Sequence, residues 1–422
     1  MKTKKILFLS IALVSLVLSG CKTIDPPSGG TDSSLISSSE PSSSQPSSSS
    51  QPISGNPNPE NPAAIVTTVQ ALANKKATDT ANIYRVTGTA QYPGYYSAGY
   101  FDLVDDGWTI VAYGISSKNT CITKSGNKYS YTNDKSFGAT GIRAGDIITI
   151  EGLFQFYAYS SSYGVPEISG YPTKIISNGL SNITAKSYTA PESYNGTYYN
   201  SISSTDKGNA LGLKLHNLMM DTHKTYVSYG SLDSTLKSTD SKCFYSGKTS
   251  SSYNKEHVWP QSKSNKVFTT SYAGADIHHL RFSISTYNSY RGSTIFAPMF
   301  GTPRMIDYAG GGKVKFGSGN TYGVTEPADS MKGDAARIIM YVFIHYGTDF
   351  GGTTKAGVTG KLYISDVIGA NTVADCFKLL RKWNAEDPVS AEEISRNNIA
   401  DNKQGNRNPF IDHPSYADLI WG

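Results

Sequence analysis

The chain has 422 residues, enough for two domains of ordinary size with additional tails. Hydrophobic residues make up 38% of it, and the aromatic residues are mostly its 29 tyrosines, a composition that favours β-rich surfaces over a leucine-rich helical bundle. The formal net charge of +5 is compatible with a polyanionic partner and equally with ordinary solubility.

The N-terminus predicts an export signal over residues 1–21. Three of the first five residues are lysines, and the apolar run ILFLSIALVSLVL that follows is too short for a convincing membrane span. The run ends in LSGC, which resembles the bacterial lipobox. The resemblance implies cleavage before Cys21 and lipid attachment there, on the extracellular face of the cytoplasmic membrane, with later release left open. A plain secretory peptide with a chance cysteine is the alternative.

Residues 22–63 predict a disordered tether. Serine, proline, glycine and glutamine dominate this segment, as in SSSEPSSSQPSSSSQP. Such a composition cannot bury enough apolar surface to offset the entropy of ordering the chain. We expect the tether to hold the folded part away from the membrane.

Residues 64–180 predict a β-barrel. IVTTVQALAN predicts a short helix, and GYFDLVDDGWTIVAYG predicts two strands around a turn at Asp105-Asp106-Gly107. AGDIITIEGLFQFYAY predicts a further strand pair, broken at Gly152. The strand order, with VTGTA and RAGDIITIEGLF, resembles the five-stranded OB-fold, especially the OB-like domains fused to exported bacterial nucleases.

The resemblance to an OB-fold implies that exposed aromatic side chains could stack on bases. The alternative role for the tyrosines of this segment is packing in the core and at the rim of the barrel. The segment contains no histidine, so we expect no acid–base chemistry from it. The candidates are Tyr92, Tyr95, Tyr96, Tyr157, Tyr159 and Tyr163.

Residues 187–422 predict an α+β domain that is mainly helical. NALGLKLHNLMMDTHKTY has helical spacing of its leucines, and SMKGDAARIIMYVFIHYG predicts an amphipathic helix ended by Gly347. A further helix is predicted to stop before Pro388, and Ser390 with Glu393 predicts a capping box. Cys243 and Cys376 lie in this domain, and the sequence leaves open whether they form a disulfide.

One short stretch, YNKEHVWPQSKSN, places an acid and a base side by side at Glu256 and His257. Pro260 predicts the end of a strand there, and a helix capped by Ser283 is predicted to carry Asn288 and Arg291 on one face. Glutamate and asparagine oxygens suit Mg²⁺ or Ca²⁺, a neutral histidine can deprotonate water, and an arginine can hold a phosphate. Together these groups can hydrolyse a phosphodiester.

NKEHVWPQS and DIHHLRFSISTYNSYRG resemble the signature of the bacterial endonuclease I family, which are ββα-metal, or His-Me finger, nucleases. EPADSMKGDAARIIMYVFIHYG, LLRKWNAEDPVSAEEISRNN and QGNRNPFIDHPSYADLIWG resemble the same family in the same order. The resemblance implies that His257 is the general base, that Glu256 and Asn288 bind one divalent metal, and that Arg291 holds the phosphate.

Other residues receive supporting roles from the resemblance. Asp276 and His278 are expected to support the site, and Arg281 is a second candidate for phosphate contact. His278 and His279 could form a metal pair, but we expect hydrogen bonding instead because adjacent residues rarely bind one ion. We expect packing or surface roles for His216, His223 and His345, and a bracing role for QGNRNPFIDHP. Asn384 stands where the family more often has histidine.

The sequence therefore predicts a lipid-anchored, secreted, Mg²⁺-dependent endonuclease that cuts DNA, and RNA as a further substrate, with little sequence preference. Ca²⁺ and Mn²⁺ are the alternative ions. One other interpretation is a surface lipoprotein that binds nucleic acid or glycan through the barrel and carries an inactive nuclease scaffold. A metallopeptidase is disfavoured because the chain has no His-Glu-x-x-His arrangement.

Overall fold

A computed structural model describes residues 58–91, 99–158, 164–176, 183–239, 242–264, 271–299, 304–317, 324–353, 359–370 and 372–422. Cys21, most of the predicted tether and five of the six candidate tyrosines (Tyr92, Tyr95, Tyr96, Tyr159 and Tyr163) lie outside these residues. Within the described ranges, no helix combines the length and the apolar character needed to span a membrane.

Five strands of the N-terminal part form a closed barrel. The strand order is β2-β3-β4-β8-β7, and pairing between β2 and β7 closes it. Strand β1 lies parallel to β2, while β5 and β6 form a separate hairpin. In chain order the elements are β1 (Ile65–Thr67), α1 (Val69–Asn74), β2 (Asp79–Gln91), β3 (Phe101–Asp105), β4 (Trp108–Ala112), β5 (Ile122–Ser125), β6 (Lys128–Tyr131), β7 (Ile147–Ala158) and β8 (Gly164–Ile176).

The start of the barrel differs from the sequence prediction in two ways. Asn58 is buried and its amide donates to the carbonyl oxygen of Pro172 at 2.9 Å, so residues 58–63 contact the barrel instead of continuing the tether. The predicted helix over residues 65–74 is a strand followed by a shorter helix. This helix begins after Thr68 because the Thr68 side chain accepts a hydrogen bond from the Ala71 backbone N–H.

The hairpin prediction at residues 105–107 is confirmed, but the break at Gly152 is wrong. Asp106 and Gly107 have φ angles of 43° and 77°, the left-handed pair that a two-residue turn between β3 and β4 requires. Strand β7 runs through Gly152 without interruption. A Cβ there would lie 2.6 Å from the Ser169 carbonyl oxygen, so the glycine permits close approach of β8 instead of ending the strand.

The C-terminal part is a mixed helical and sheet region built around one buried helix, α5. A four-stranded sheet in this part has the order β11-β14-β13-β12, and β9 and β10 form a separate two-stranded sheet. The elements are α2 (Gly208–Thr222), α3 (Leu232–Thr239), β9 (Asn254–His257), β10 (Leu280–Ser283), α4 (Ser285–Arg291), β11 (Ile295–Phe296), β12 (Arg304–Asp307), β13 (Lys313–Phe316), β14 (Val324–Glu326), α5 (Lys332–Tyr346), α6 (Val373–Glu386), α7 (Ala391–Gln404), α8 (Pro409–Asp412) and α9 (Tyr416–Trp421).

Helix α5 is predicted at the correct place but with the wrong surroundings. It ends at Tyr346 before Gly347, as expected. Thirteen of its fifteen residues are buried, so other elements cover it on nearly every side and it has no broad solvent face. The capping box of Ser390 and Glu393 at the start of α7 is confirmed. Cys243 and Cys376 are buried free thiols, so the disulfide left open by the sequence does not form.

Candidate active site

Two antiparallel strands and the helix after them hold the predicted catalytic residues. Strand β9 ends at His257, and β10 pairs with it so that Glu256 lies opposite Arg281 and His257 lies opposite Leu280. Helix α4 follows β10 directly and carries Asn288. Neighbouring residues of a strand point to opposite faces, so Glu256 and His257 enter different surroundings.

His257 is held as a neutral imidazole with one nitrogen left for chemistry. Its Nε2 lies 3.0 Å from the Gly274 carbonyl oxygen, and a carbonyl can only accept, so Nε2 carries the proton. Nδ1 makes no hydrogen bond with the described residues. Burial, assisted by the nearby His279, lowers the pKa of His257 to about 3, which keeps the ring unprotonated at neutral pH. Nδ1 is therefore the basic atom.

Glu256 is buried on the other face of the hairpin. Its Oε1 accepts a hydrogen bond from the Tyr245 hydroxyl at 2.8 Å and lies 3.4 Å from Arg291 Nη1. Burial raises the pKa of Glu256 to about 7, although Arg291 and Tyr245 act in the opposite direction. A carboxylate that is so poorly solvated gains stability from an additional cation, which is the property expected of a metal ligand.

Arg291 lies behind this site instead of at its surface. The side chain is 1% exposed, and its two amino groups donate to the carbonyl oxygens of His257 and Val258 at 3.2 and 2.6 Å. The predicted direct contact with a phosphate does not fit these contacts, because the guanidinium would have to leave them to reach a substrate. Arg291 instead fixes the backbone of the two residues that follow Glu256 and supplies Glu256 with positive charge.

Asn288 is half-buried on α4, and its side-chain amide makes no hydrogen bond with the described residues. Its oxygen is of the hard type that suits Mg²⁺ or Ca²⁺. The predicted capping of the helix by Ser283 is wrong. Ser283 ends β10, and the N-cap position is Ile284, which contributes no side-chain hydrogen bond, because the strand continues one residue beyond the sequence expectation.

Asp276 is the centre of a buried hydrogen-bond network. One carboxylate oxygen accepts from the Tyr341 and Tyr346 hydroxyls, each at 2.6 Å, and the other from the His278 backbone and the Gln404 amide at 2.8 and 2.9 Å. His278 also contacts the Asn406 carbonyl oxygen at 3.0 Å. The stretch that begins at Gln404 thus braces the site loop through Asp276 and His278.

Comparison with known proteins identifies the family of this chain. The model of the Endonuclease I family matches residues 174–415. The chain belongs to the endonuclease I family. It is therefore a nuclease, a hydrolase that acts on phosphodiester bonds, and nucleases of this family are generally dependent on a divalent metal.

Two relatives of this endonuclease I family member are extracellular ribonucleases. The one from Bacillus amyloliquefaciens is 33% identical over 260 residues, which are 56% of this chain and 82% of the relative. The one from Bacillus subtilis (strain 168) is 34% identical over 256 residues, 55% and 81% of the two chains. A solved OBody bound to hen egg-white lysozyme matches 26% of this chain and 91% of its own at 15% identity, with a TM-score of 0.18 that carries no conclusion.

A second group in this nuclease has ligand-type atoms close together, namely His223, Asp276 and His345, whose atoms lie within 4.8 Å of one another. His223 Nδ1 lies 2.9 Å from His345 Nε2. A carboxylate offers about four lone-pair positions, and the donors described above occupy all four of Asp276. A metal would have to displace a tyrosine hydroxyl, so the group fits a hydrogen-bonded core better than an ion site. Sequence reasoning missed this cluster because its members lie far apart in the chain.

Arg281 is not well placed to hold the phosphate of the substrate. It is 3% exposed and lines a cavity of about 440 Å³ that also contains Asp334, Asp387 and Glu393. Lys242 and Arg396 line the same cavity, so its charge is mixed, and Glu256, His257 and Asn288 are not among its lining residues. Arg281 Nη1 has no hydrogen-bond partner among the described residues.

Proposed function

We propose that this protein is a secreted, Mg²⁺-dependent endonuclease that hydrolyses DNA and RNA with little sequence preference. The observation that carries the proposal is the fixed tautomer of His257, whose Nε2–H donates to Gly274 and leaves Nδ1 as a base beside the buried Glu256. A general base must be neutral and correctly oriented before the substrate arrives, and His257 meets both conditions.

In this proposal His257 Nδ1 accepts a proton from the attacking water. Glu256 and Asn288 hold the divalent ion, with β9, β10 and α4 forming the ββα-metal module that the family resemblance implies. When bound, the ion neutralises charge on the scissile phosphate and on the departing 3′ oxygen. The products carry 5′-phosphate and 3′-hydroxyl ends. Arg291 orients Glu256 and the backbone beside it.

Attack by water explains why we include both nucleic acids as substrates. This chemistry does not use the 2′-hydroxyl, so it treats DNA and RNA alike, and the ribonuclease relatives support RNA. A site built to hold phosphate and metal reads no base edges, which accounts for little sequence preference. We propose export and lipid attachment at Cys21 from the lipobox, and the extracellular relatives support export.

We propose that the barrel is OB-like and holds nucleic acid for the catalytic region. Its strand order, with the parallel contact between β4 and β8 and the closing contact between β2 and β7, supports this assignment. Tyr157 lies near the end of strand β7 and is 49% exposed, so it could stack on a base. Removing residues 64–178 should raise KM for long nucleic acids more than it lowers kcat on short ones.

The test is cleavage of supercoiled plasmid and of single-stranded RNA by a soluble form that begins at Pro52, because Asn58 already packs on the barrel. The form is compared with EDTA, with His257→Gln and with His216→Gln. Glutamine at 257 can still donate to Gly274 but has no basic nitrogen, while His216 is a fully buried histidine in contact with two carbonyl oxygens, those of Ile344 and Thr353.

We expect cleavage of both substrates by the wild type and His216→Gln with Mg²⁺, and none by His257→Gln or with EDTA. Full activity of His257→Gln would show that another group is the base. No cleavage by the wild type with any divalent metal would favour the binding-protein alternative. Cleavage of RNA alone would restrict the proposal to the substrate of the relatives.

A further inference from the structure

We propose that His279 is a positioning residue that holds the general base in its active tautomer, an inference that rests on the role of His257 proposed above. His279 is fully buried. Its ring lies 5.6 Å from the ring of His257, centroid to centroid, at an angle of 71°, so it acts on His257 through the surrounding backbone.

The two ring nitrogens of His279 join the two segments that define the geometry of His257. The backbone N–H of Trp259 donates to Nε2 at 3.0 Å. On the other side Nδ1 lies 2.6 Å from the carbonyl oxygen of Ala273. Trp259 is two residues after His257, and Ala273 directly precedes Gly274, whose carbonyl oxygen accepts the His257 proton.

These partners fix the protonation of His279 as well as its position. Nε2 lies 3.0 Å from the Trp259 nitrogen and 3.2 Å from the Trp259 carbonyl oxygen, so the position of the ring proton follows from the other nitrogen. The Ala273 carbonyl only accepts, so Nδ1 must donate. Burial lowers the pKa of His279, which favours the neutral ring, and a neutral ring with its proton on Nδ1 accepts at Nε2 from the Trp259 N–H. The His279 imidazole thus sets the distance between the backbone at Trp259, two residues after His257, and the loop whose Gly274 carbonyl orients His257.

His279 holds the Gly274 carbonyl from the Ala273 side, while the Asp276 network holds the loop on the other side of Gly274. Gly274 lies in the short 3-10 helix Tyr272–Ala275, which is one turn long, and Tyr272 has a strained φ of 50°. If the carbonyl of Gly274 moves, Nε2 of His257 loses its acceptor and the imidazole can place the proton on Nδ1. The other tautomer has no basic nitrogen facing the water.

The experiment compares His279→Phe with His279→Gln in the soluble form that begins at Pro52. Phenylalanine fills the space without either hydrogen bond, whereas a glutamine amide carries one acceptor and one donor, as the imidazole does. His216→Phe is the matched control, because His216 is an equally buried histidine with contacts to two backbone carbonyls. Thermal unfolding of each variant checks that it is folded at the assay temperature.

We expect His279→Phe to lower kcat by about ten- to a hundredfold, the size of effect expected from a misplacement of about 1 Å in a catalytic group. KM and the Mg²⁺ concentration for half-maximal rate should change less than about twofold, because substrate and metal contacts are intact. His279→Gln should recover most of kcat, and His216→Phe should keep it. Imidazole ¹⁵N NMR should show His257 as the Nε2–H tautomer in the wild type and as a mixture in His279→Phe.

A folded His279→Phe with wild-type kcat, or with an unchanged His257 tautomer, would overturn the positioning role. An equal loss in His216→Phe would also overturn it, because the effect would then be general destabilisation. His257→Gln separates the two proposals. Loss of activity in His257→Gln with full activity in His279→Phe rejects only the positioning role, while activity in His257→Gln rejects the proposed base itself. If His279→Phe does not fold, the ¹⁵N spectrum of His279→Gln provides the test. A His257 proton found on Nδ1 in His279→Gln would overturn the positioning role, because glutamine supplies the same donor and acceptor as the imidazole.

Discussion

Asp276→Asn should destabilise the protein strongly although it changes a single atom. The carboxylate is 0% exposed and accepts four hydrogen bonds. The asparagine oxygen must stay on the side of the His278 N–H, which cannot reverse. The new NH₂ group then faces the hydroxyls of Tyr341 and Tyr346. Tyr341 already accepts from Asn406 at 2.7 Å, so its hydroxyl cannot adapt without losing another contact.

The magnitude follows from the loss of charge. Hydrogen bonds to a charged acceptor contribute ~1.5–3 kcal/mol and neutral ones ~0.5–1.5, so a loss of ~1 kcal/mol at each of the four bonds gives ~4 kcal/mol. For a cooperative unit of the size of the C-terminal part, residues 187–422, a loss of ~4 kcal/mol lowers Tm by ~8–16 °C. Tryptophan fluorescence is a suitable signal because Trp259, Trp383 and Trp421 all lie in the C-terminal part. Asp307→Asn, at an exposed aspartate, should leave Tm unchanged.

The stability that the Asp276 carboxylate contributes to the fold should decrease at low pH. Burial alone would raise the pKa of Asp276, but His223, His278 and His345 and the Tyr341 hydrogen bond hold it well below its usual range. A group with a lowered folded pKa stabilises above its unfolded pKa of ~4 and loses this contribution as the pH falls through that range. The gap between wild type and Asp276→Asn should be constant from pH 8 to ~5 and shrink below ~4. A gap under ~1 kcal/mol at pH 7 would refute the charged network.

Three other substitutions test separate parts of the structure. Glu256→Gln should raise the Mg²⁺ concentration for half-maximal cleavage by at least about tenfold, and an unchanged metal titration would remove Glu256 as a ligand. Gly170→Ala places a Cβ 1.9 Å from a backbone oxygen of the neighbouring strand and should cost ~1–3 kcal/mol in urea unfolding of the barrel, whereas Gly138→Ala, with open space around it, should cost little. Arg337→Met leaves Glu393 buried without its two guanidinium contacts of 2.6 and 2.8 Å, and unfolding free energy should fall by ~3–5 kcal/mol; a stable variant would show that Glu393 is protonated in the fold.

Local features of the fold were predictable because a few neighbouring residues determine them. Asp106 and Gly107 favour a left-handed turn on their own, and the Ser390 capping box is complete within four residues. The order of Glu256, His257 and Asn288 on strand and helix was likewise readable from spacing. These features depend on backbone preferences that act within one element.

Features that depend on distant partners were not predictable. Gly152 looked like a break because the sequence does not show that Ser169 lies against it across the sheet. Arg291 looked like a phosphate ligand because the sequence does not show that the carbonyl oxygens of His257 and Val258 surround it. In each case the deciding contact comes from a residue outside the element, so periodicity carried no information about it.

The adjacency of Glu256 and His257 has a physical reason. An acid and a base that shared one environment would form an ion pair, and a protonated histidine could not accept a proton from water. On a strand, adjacent side chains enter opposite faces. Glu256 therefore meets the positive charge of Arg291 and the hydroxyl of Tyr245, while His257 meets a backbone carbonyl and the neutral His279. The two residues are adjacent along the backbone, yet each has its own surroundings, as the proposed metal ligand and the proposed base require.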